Sequence, residues 1–406
     1  MPRSVFWRNQ PITGRRARTI LGKIRSRGVS WLRGRIAKEF RAPETTEGIY
    51  VRLLAVWIYG ALLSLLSPLL VLARLIFRLP RDTLYYFYDL DVSPITYDVA
   101  DWLVLAELER RRRGLGQVYV VVVPGRQDGL RDEGADYEKV VDRASRWWRL
   151  HHLVVPLLSL LPTCGGYAIC RDRRQATLLR MLVARHVYPP TYWPAFPLSL
   201  FRRPILDAAR RGVAVFPLFK SPAQSLRYVR RWLDARAKDR KVVTITIRTY
   251  GIDASRNSNL AAWAAFAAGL DSRRFLPVFV LDIETAMDPV PEALGDFEVF
   301  REAPWNLALR SALYESAYLN LGIVHGPTEL LWYNDRCRYV IFFPSVETRQ
   351  TTADFVAANG FVAGESLPFA TPFQSWVWAP DELETIRREF ARMCATIEAS
   401  AAAGAP

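Results

Sequence analysis

The chain has 406 residues, of which half are hydrophobic and 23% are charged. This length accommodates two domains with full cores, and the composition excludes a disordered chain. The formal net charge is +15, but residues 1–49 alone contribute +9, from twelve Lys or Arg against three Glu. Because the other residues contribute only +6, the overall charge does not indicate a nucleic-acid-binding domain.

An uncharged stretch covers residues 53–73 and is followed directly by Arg74, with Arg78 and Arg81 close behind. As a helix, its 21 residues would extend about 30 Å, the thickness of the hydrocarbon core of a bilayer. Because positive charge lies on both sides of the stretch, the positive-inside rule gives no orientation for it in a membrane. Pro68 can also break the helix. We therefore expect a membrane-associated segment at residues 50–80, re-entrant or in-plane, with both ends on the cytoplasmic face of the cytoplasmic membrane. A single span and a buried core helix are the alternatives.

Cysteine usage excludes a disulfide scaffold, because the chain has only four cysteines: Cys164, Cys170, Cys337 and Cys394. No second Cys or His pair has the spacing of a structural zinc site. We therefore expect reduced thiols and predict neither a metal nor a cofactor.

After Pro80 the pattern of strands and helices alternates. In the first half the predicted strands are Leu84–Tyr88, Val118–Val123 and Gly212–Leu218, and the predicted helices are Asp101–Arg113 and Leu226–Ala237. We expect Leu153–Leu161 to pack in the core, with contact to a membrane interface as the alternative. In the second half the predicted strands are Val242–Arg248, Phe275–Asp282, Phe297–Phe300, Asn320–Val324 and Arg338–Phe343, and the predicted helices are Asn259–Leu270, Leu307–Leu319, one from Gly326, and Asp381–Ile397.

This alternation predicts a doubly wound α/β fold, in which two Rossmann-like domains face a cleft and follow a membrane-associated helical segment. The predicted boundaries are 1–49 for a basic N-terminal segment, 50–80 for the membrane segment, 81–238 and 239–380 for the two Rossmann-like domains, and 381–406 for a C-terminal helix and tail.

Candidate site residues are those that follow strands, because ligands bind beyond the carboxyl ends of parallel strands. Arg248 ends a predicted buried strand, and Arg256, Asn257 and Ser258 lead into the next helix. Two arginines and a helix N-terminus are typical of a phosphate-binding loop. An exposed loop with a Ser or Asn cap is the alternative.

Further polar residues lie after other strands. Asp282 either binds a ligand hydroxyl or caps the following turn. Asn306, Arg310 and Glu315 lie near one face of a predicted helix, which either lines a cleft or faces solvent. Gly326 allows close approach of the backbone to a ligand.

Three residues are candidate proton-transfer groups. His325 ends a strand and is either a base or a structural histidine. Asp91 and Asp98 follow the first strand, and the loop that contains Arg131 follows the second. Since those two loops should meet at one sheet edge, we expect Asp91, Asp98 and Arg131 to contact an acceptor, although Asp98 could equally cap a helix.

Several catalytic motifs are missing from the sequence. It contains no GxxxxGK[ST] loop, no G-x-G-x-x-G at the start of the first domain, and no HExxH or G-x-S-x-G motif. ATPase, hydride-transfer, zinc-peptidase and serine-hydrolase functions therefore lose support.

Several segments resemble a bacterial family associated with polysaccharide or cell-surface genes: DLDVSPITYD, VVVVPG, TITIRTYGIDASRNSNLAAW, WNLALRSALYESAYLNLGIVHGP and QSWVWAPDE. The two-domain layout is similar to the GT-B glycosyltransferase fold. The TITIR element is distantly similar to the strand-Arg (HVR) element of fucosyltransferases, although Ile247 precedes the Arg and Thr246 replaces the His. The resemblance implies that Arg248 binds a donor diphosphate, with Arg256 assisting.

We therefore expect a metal-independent, membrane-associated glycosyltransferase that moves a sugar from a nucleotide-sugar donor to a surface-glycan or lipid-linked acceptor. The donor would bind the second Rossmann-like domain and the acceptor the first. The alternative is a non-catalytic membrane-bound nucleotide-sugar-binding or scaffold protein. We expect no nucleic-acid partner, because only the basic N-terminal segment supports one.

Overall fold

A computed structural model describes residues 28, 30, 34, 36–37, 46–66, 72–73, 76, 80–183, 186–251, 254–343 and 353–402. Most of the predicted basic segment and part of the predicted membrane segment therefore lie outside the described residues. The chain divides into two compact units. We call the described residues within Met1–Pro94, Leu105–Glu133 and Thr163–Pro204 the N-terminal unit, and the described residues within Ile95–Val104, Gly134–Pro162 and Ile205–Pro406 the C-terminal unit.

The described α-helices are α1 (Thr46–Leu66), α2 (Val99–Arg112), α3 (Ala135–Glu138), α4 (Arg143–Arg149), α5 (Val155–Leu158), α6 (Arg173–Val183), α7 (Arg203–Arg210), α8 (Ala223–Ala237), α9 (Leu260–Ala268), α10 (Leu307–Ser316), α11 (Glu329–Trp332), α12 (Ala353–Ala358) and α13 (Leu383–Ala402). The described strands are β1 (Thr83–Asp89), β2 (Gln117–Val123), β3 (Cys164–Ile169), β4 (Val187–Tyr188), β5 (Lys241–Thr246), β6 (Phe275–Val280), β7 (Glu298–Val299), β8 (Leu319–Ile323), β9 (Tyr339–Phe342) and β10 (Gln374–Val377).

The N-terminal unit contains a parallel sheet of four strands in the order β3-β2-β1-β4. All seven residues of β1 are buried, and β2 is buried over most of its length. Burial on both faces is what a continuous β-branched or aromatic run predicts for a parallel strand. Helix α6 covers this core through Ala176 and Val183.

The C-terminal unit contains a parallel sheet of six strands in the order β10-β9-β8-β5-β6-β7. Its core is formed by β5, β6, β8 and β9 with α9 and α13, where Trp263, Phe279 and Met393 are fully buried. Strands connected through helices to parallel neighbours are the doubly wound arrangement. The predicted α/β fold with two parallel Rossmann-like sheets is therefore confirmed.

The two units alternate along the chain, whereas the sequence predicts contiguous domains. The segment 95–104, which includes the first part of α2, belongs to the C-terminal unit, and the rest of α2 belongs to the N-terminal unit. The predicted boundaries at 81–238 and 239–380 stay a prediction.

One predicted strand is wrong. Residues 212–218 form no strand. Val213 is 46% exposed, and Pro217 has no N–H group to donate to a neighbouring strand. The sequence does not predict the short strands β3, β4 and β10, since β3 contains two glycines, β4 has only two residues and β10 is an edge strand of four residues.

The four cysteines are free thiols, as predicted, and three of them are buried. Leu153, Leu157 and Leu161 are buried, which confirms the expected core packing of this run. Among the described helices, none combines the length and apolar character needed to cross a bilayer.

Candidate functional site

The candidate site lies at the carboxyl edge of the sheet in the C-terminal unit, where β8, β5 and β6 lie side by side. Arg248, Asp282 and His325 each stand two residues after the end of one of these strands. Because the strands are parallel, their carboxyl ends meet at the same edge. The structure therefore brings together three residues that the sequence identifies separately.

Arg248 is held by the loop that follows it. Its Nη1 atom donates to Oδ1 of Asn257 at 2.6 Å, and its backbone N–H donates to Oγ of Ser258 at 2.9 Å. The same Asn257 oxygen accepts from the backbone N–H of Tyr250 at 2.9 Å, and Arg248 is only 5% exposed. Asn257 thus orients the guanidinium group of Arg248, and Ser258 holds its backbone.

Arg310 comes from α10 and is fully buried, with 1% exposure. Its Nε donates to the Ala303 carbonyl at 3.0 Å and its Nη2 to the Leu281 carbonyl at 3.3 Å. Its Nη1 is buried and has no hydrogen-bond partner among the described residues. The side chain of Arg310 also interacts with the Tyr314 hydroxyl. Since buried polar groups are almost always hydrogen-bonded, Nη1 is the atom of this group at which we expect an acceptor from outside the protein.

His325 is 8% exposed, and its Nδ1 lies 2.7 Å from the carbonyl of Ile323. Because a carbonyl can only accept, Nδ1 carries the proton and Nε2 presents a lone pair. The buried Nε2 has no partner among the described residues. Burial lowers the pKa of His325 to about 3. The ring is therefore neutral at physiological pH.

The charges of Arg310, Arg248 and Arg256 also lower the pKa of His325, so all three guanidinium groups act on the same ring. We call these three residues the arginine cluster. Arg256 belongs to a short 3-10 helix (Ala254–Arg256) and is half-buried. The cluster makes this sheet edge strongly positive.

Asp282 is the carboxylate that faces this positive charge. Burial raises its pKa, and the charges of Arg310 and Arg248 act in the opposite direction. Its oxygens accept from the backbone N–H groups of Ile283 at 2.8 Å and Thr249 at 3.4 Å. The structure shows the capping alternative, and a role in binding a ligand hydroxyl stays a prediction.

Gly326 follows His325 and lies against the ring of Tyr97. A Cβ atom at residue 326 would lie 2.7 Å from Cδ2 of Tyr97, which is too close for a real contact. Burial raises the pKa of the Tyr97 hydroxyl, and the charge of Arg310 opposes that rise. Gly326 is therefore needed for close packing of Tyr97 beside the arginine cluster.

Replacing Gly326 with alanine is expected to destabilise the protein by about 1–3 kcal/mol, because the added methyl group must displace the Tyr97 ring. Urea unfolding measures this change. The cost should fall in a Tyr97→Leu background, and Gly251→Ala is the matched control, because its Cβ would meet Val140 at an ordinary 3.5 Å. Equal costs for G326A in both backgrounds would contradict the contact.

A carboxylate cluster lies in the same unit, formed by Asp98, Asp101 and Glu329, which each bring an oxygen within 4.8 Å of the others. Oδ2 of Asp98 accepts from Oγ1 of Thr96 at 2.6 Å, and Asp101 accepts from the Tyr333 hydroxyl. Asp101 and Glu329 are buried, whereas Asp98 is half-exposed. Oxygen ligands of this kind suit a hard divalent cation, and a half-exposed carboxylate can also accept a proton.

The three polar residues predicted to share one face of α10, Asn306, Arg310 and Glu315, lie in different environments. Asn306 is exposed and caps the helix, where it accepts from the backbone N–H of Leu309 at 3.1 Å. Glu315, at the other end, accepts from the backbone N–H of Ser221 and from Nη1 of Arg336, both at 2.9 Å. Of these three residues, Arg310 is the one whose charge is seen to lower the pKa of His325.

Asp91 and Arg131 lie in the N-terminal unit. Oδ1 of Asp91 accepts from the backbone N–H of Arg126 at 3.1 Å, and Nη1 of Arg131 donates to the carbonyl of Val92 at 3.2 Å. The loops after β1 and β2 therefore meet at one sheet edge, as predicted. Arg131 also forms an ion pair with Glu133 at 2.6 Å.

Sequence reasoning missed Tyr97, Asp101 and Glu329. Tyr97 and Asp101 flank the predicted residue Asp98, and Glu329 follows His325 by about one helical turn. The signal that could have found Glu329 is its position just after the loop that follows β8.

No protein-family model matches the chain, and no curated protein matches it in sequence. The chain is similar to several solved structures. A glycosyl transferase family 9 protein from Veillonella parvula DSM 2008 has 10% identity and a TM-score of 0.44, over 79% of this chain and 98% of the other. E. coli ADP-heptose lps heptosyltransferase II has 9% identity and a TM-score of 0.48, over 78% and 99%. The wall teichoic acid polymerase TagF has 7% identity and a TM-score of 0.25, over 86% and 93%.

Proposed function

We propose that this protein is a glycosyltransferase whose C-terminal unit binds the diphosphate of a nucleotide-sugar donor at the arginine cluster. The observation that carries the proposal is Nη1 of Arg310, a buried cationic donor without a hydrogen-bond partner among the described residues. Leaving such a donor unsatisfied is costly, and phosphate oxygens are among the acceptors that arginine binds most strongly.

The net charge of the site supports an anionic ligand. Arg248, Arg256 and Arg310 carry three positive charges, the carboxylate of Asp282 interacts with Arg248 and Arg310, and His325 is neutral. In a buried site these charges interact more strongly than in water. A diphosphate would satisfy Arg310 and neutralise the excess positive charge. The resemblance of the TITIR element to glycosyltransferases makes a nucleotide sugar the proposed form of that diphosphate.

The chemistry follows from the same charges. In sugar transfer an acceptor hydroxyl attacks the anomeric carbon, the bond from that carbon to the diphosphate oxygen breaks, and a base takes the hydroxyl proton. The arginine cluster stabilises the negative charge that develops on the leaving diphosphate, in the way that fixed donors stabilise an oxyanion.

His325 is a weak candidate for the base, because its pKa of about 3 is far below the working pH. Its Nε2 lone pair is better suited to accept a hydrogen bond from a hydroxyl of the donor. We propose Asp98 as the base, because it is the half-exposed member of the carboxylate cluster. The role predicted for Asp91 in the N-terminal unit stays a prediction, as do the acceptor class and the cytoplasmic membrane location.

The Asp98→Asn variant is expected to lower kcat by about 100- to 10,000-fold, because amide nitrogen cannot accept the proton. Affinity for the donor should stay within about twofold, since Asp98 is not part of the arginine cluster. Transfer of radiolabelled sugar and calorimetric titration of the donor measure the two quantities, with the exposed Asp234→Asn as control.

If Asp98→Asn transferred sugar at the wild-type rate, the assignment of the base would be wrong. If the wild-type chain bound nucleotide sugars but transferred none to any glycan or lipid-linked acceptor, the non-catalytic binding protein would replace the transferase.

A further inference from the structure

Helix α1 has two contrasting faces. One face, which we call the packed face, consists of Ile49, Arg52, Val56, Tyr59 and Leu63. These residues recur every three or four positions, so they form one stripe along the helix.

The packed face is fixed to the N-terminal unit. The buried Arg52 donates from Nη2 to the carbonyl of Phe196 at 2.6 Å. The ring of Tyr59 makes edge contacts with Trp193 and Phe196, with 5.4 Å between centroids in each case. At Gly60 a Cβ would lie 3.3 Å from the Trp193 ring, so the helix and the ring are in close contact. The helix therefore lies along the surface of this unit.

The opposite side carries large apolar residues in solvent, and we call it the exposed face. Its members and their exposed fractions are Tyr50 66%, Val51 54%, Leu54 59%, Trp57 71%, Ile58 45%, Leu62 53% and Leu65 79%. They also recur every three or four positions and form a second continuous stripe. A contiguous exposed apolar patch of this kind marks an interaction site.

We propose that the exposed face of α1 inserts into the surface of an anionic lipid bilayer, with the helix axis in the membrane plane. The residue types fit, because Trp and Tyr are favoured at the headgroup level and aliphatic residues just below it. The helix has no charged residue after Arg52, and Arg52 belongs to the packed face.

Charge decides between a bilayer and a second copy of this chain. Residues 1–49 contain twelve basic and three acidic residues, and the last four of them begin α1. Arg74, Arg78 and Arg81 follow the helix in the sequence. Two copies joined through α1 would bring these like charges together, whereas anionic headgroups would neutralise them. This inference does not depend on the proposed sugar-transfer chemistry.

Sedimentation of the full-length chain with vesicles tests the proposal. We expect binding to vesicles of phosphatidylcholine with 30% phosphatidylglycerol, and weaker binding to phosphatidylcholine alone. A variant with Leu54→Glu and Trp57→Glu should bind the anionic vesicles at least about tenfold more weakly, because two charges must then enter the headgroup region. The control is Met287→Glu, which places one charge at a 79% exposed apolar residue of the C-terminal unit and should bind as the wild type does.

The variants need a matched folding check, since the substitutions are on the solvent side of a packed helix. The circular dichroism spectrum and the Tm of the double variant and of Met287→Glu should equal those of the wild type. Wild-type protein that stays in the supernatant with anionic vesicles would overturn the proposal, and so would a folded Leu54→Glu, Trp57→Glu variant that binds as the wild type does. A wild-type dimer that the double variant converts to a monomer would overturn it in favour of a second copy.

Discussion

Replacing Arg248 with alanine is expected to lower the rate of sugar transfer by about 100- to 1,000-fold or more, with the fold intact. The guanidinium group of Arg248 is oriented by Asn257 and belongs to the cluster that we propose binds the leaving diphosphate. The loop should survive its removal, because Asn257 still accepts from the backbone N–H of Tyr250 and Ser258 from that of residue 248. Transfer of labelled sugar under saturating donor measures the effect.

Two further variants separate charge from geometry. Arg248→Lys keeps the positive charge but loses the paired N–H donors of the guanidinium group. Its transfer rate should therefore lie between those of Arg248→Ala and the wild type. Arg274→Gln is the control, because Arg274 is a half-exposed arginine of the same unit that pairs with Glu398. Near-wild-type transfer by a folded Arg248→Ala protein would remove Arg248 from the site.

The free energy of unfolding should decrease as the pH is lowered, and part of this decrease should come from His325. In the folded state its pKa is about 3, whereas in the unfolded chain it is near the ordinary 6.5. Above pH 6.5 both states are neutral at this residue and it has no effect. As the pH falls below 6.5 the unfolded chain takes up the proton first, so stability is lost progressively until about pH 3.

The variant His325→Asn removes the titration while it keeps a donor for the carbonyl of Ile323. Between pH 7 and pH 4.5 the wild type should therefore lose about 2–3 kcal/mol more free energy of unfolding than the variant. Urea titrations at the two pH values measure the difference, with the exposed His151→Asn as control. Parallel losses in wild type and His325→Asn would contradict a buried neutral His325.

The strands that carry the site could be predicted because their signal is local. β5, β6 and β8 are short apolar runs between turn residues, and burial on both faces of a parallel sheet requires such runs. The stretch 212–218 has a similar composition but no strand, because its apolar residues are partly exposed and Pro217 cannot donate. Composition alone does not distinguish the two cases.

The site was predicted in part for the same reason. Arg248, Asp282 and His325 each follow a strand, so the rule that ligands bind beyond carboxyl ends finds all three. Tyr97 could not be found in this way, because it reaches Gly326 through a contact between segments more than two hundred residues apart. The assignment of segment 95–104 to the C-terminal unit is likewise a property of tertiary contacts and has no local sequence signal.

Thermal-shift measurements first identify which nucleoside diphosphate raises the Tm of the chain most. A structure of the chain determined with that nucleoside diphosphate bound then tests the central claim most directly. We expect phosphate oxygens within hydrogen-bond distance of Nη1 of Arg310 and of the guanidinium group of Arg248. A diphosphate bound elsewhere on the protein, with Nη1 of Arg310 still without an acceptor, would contradict it, and so would the failure of every nucleoside diphosphate to bind.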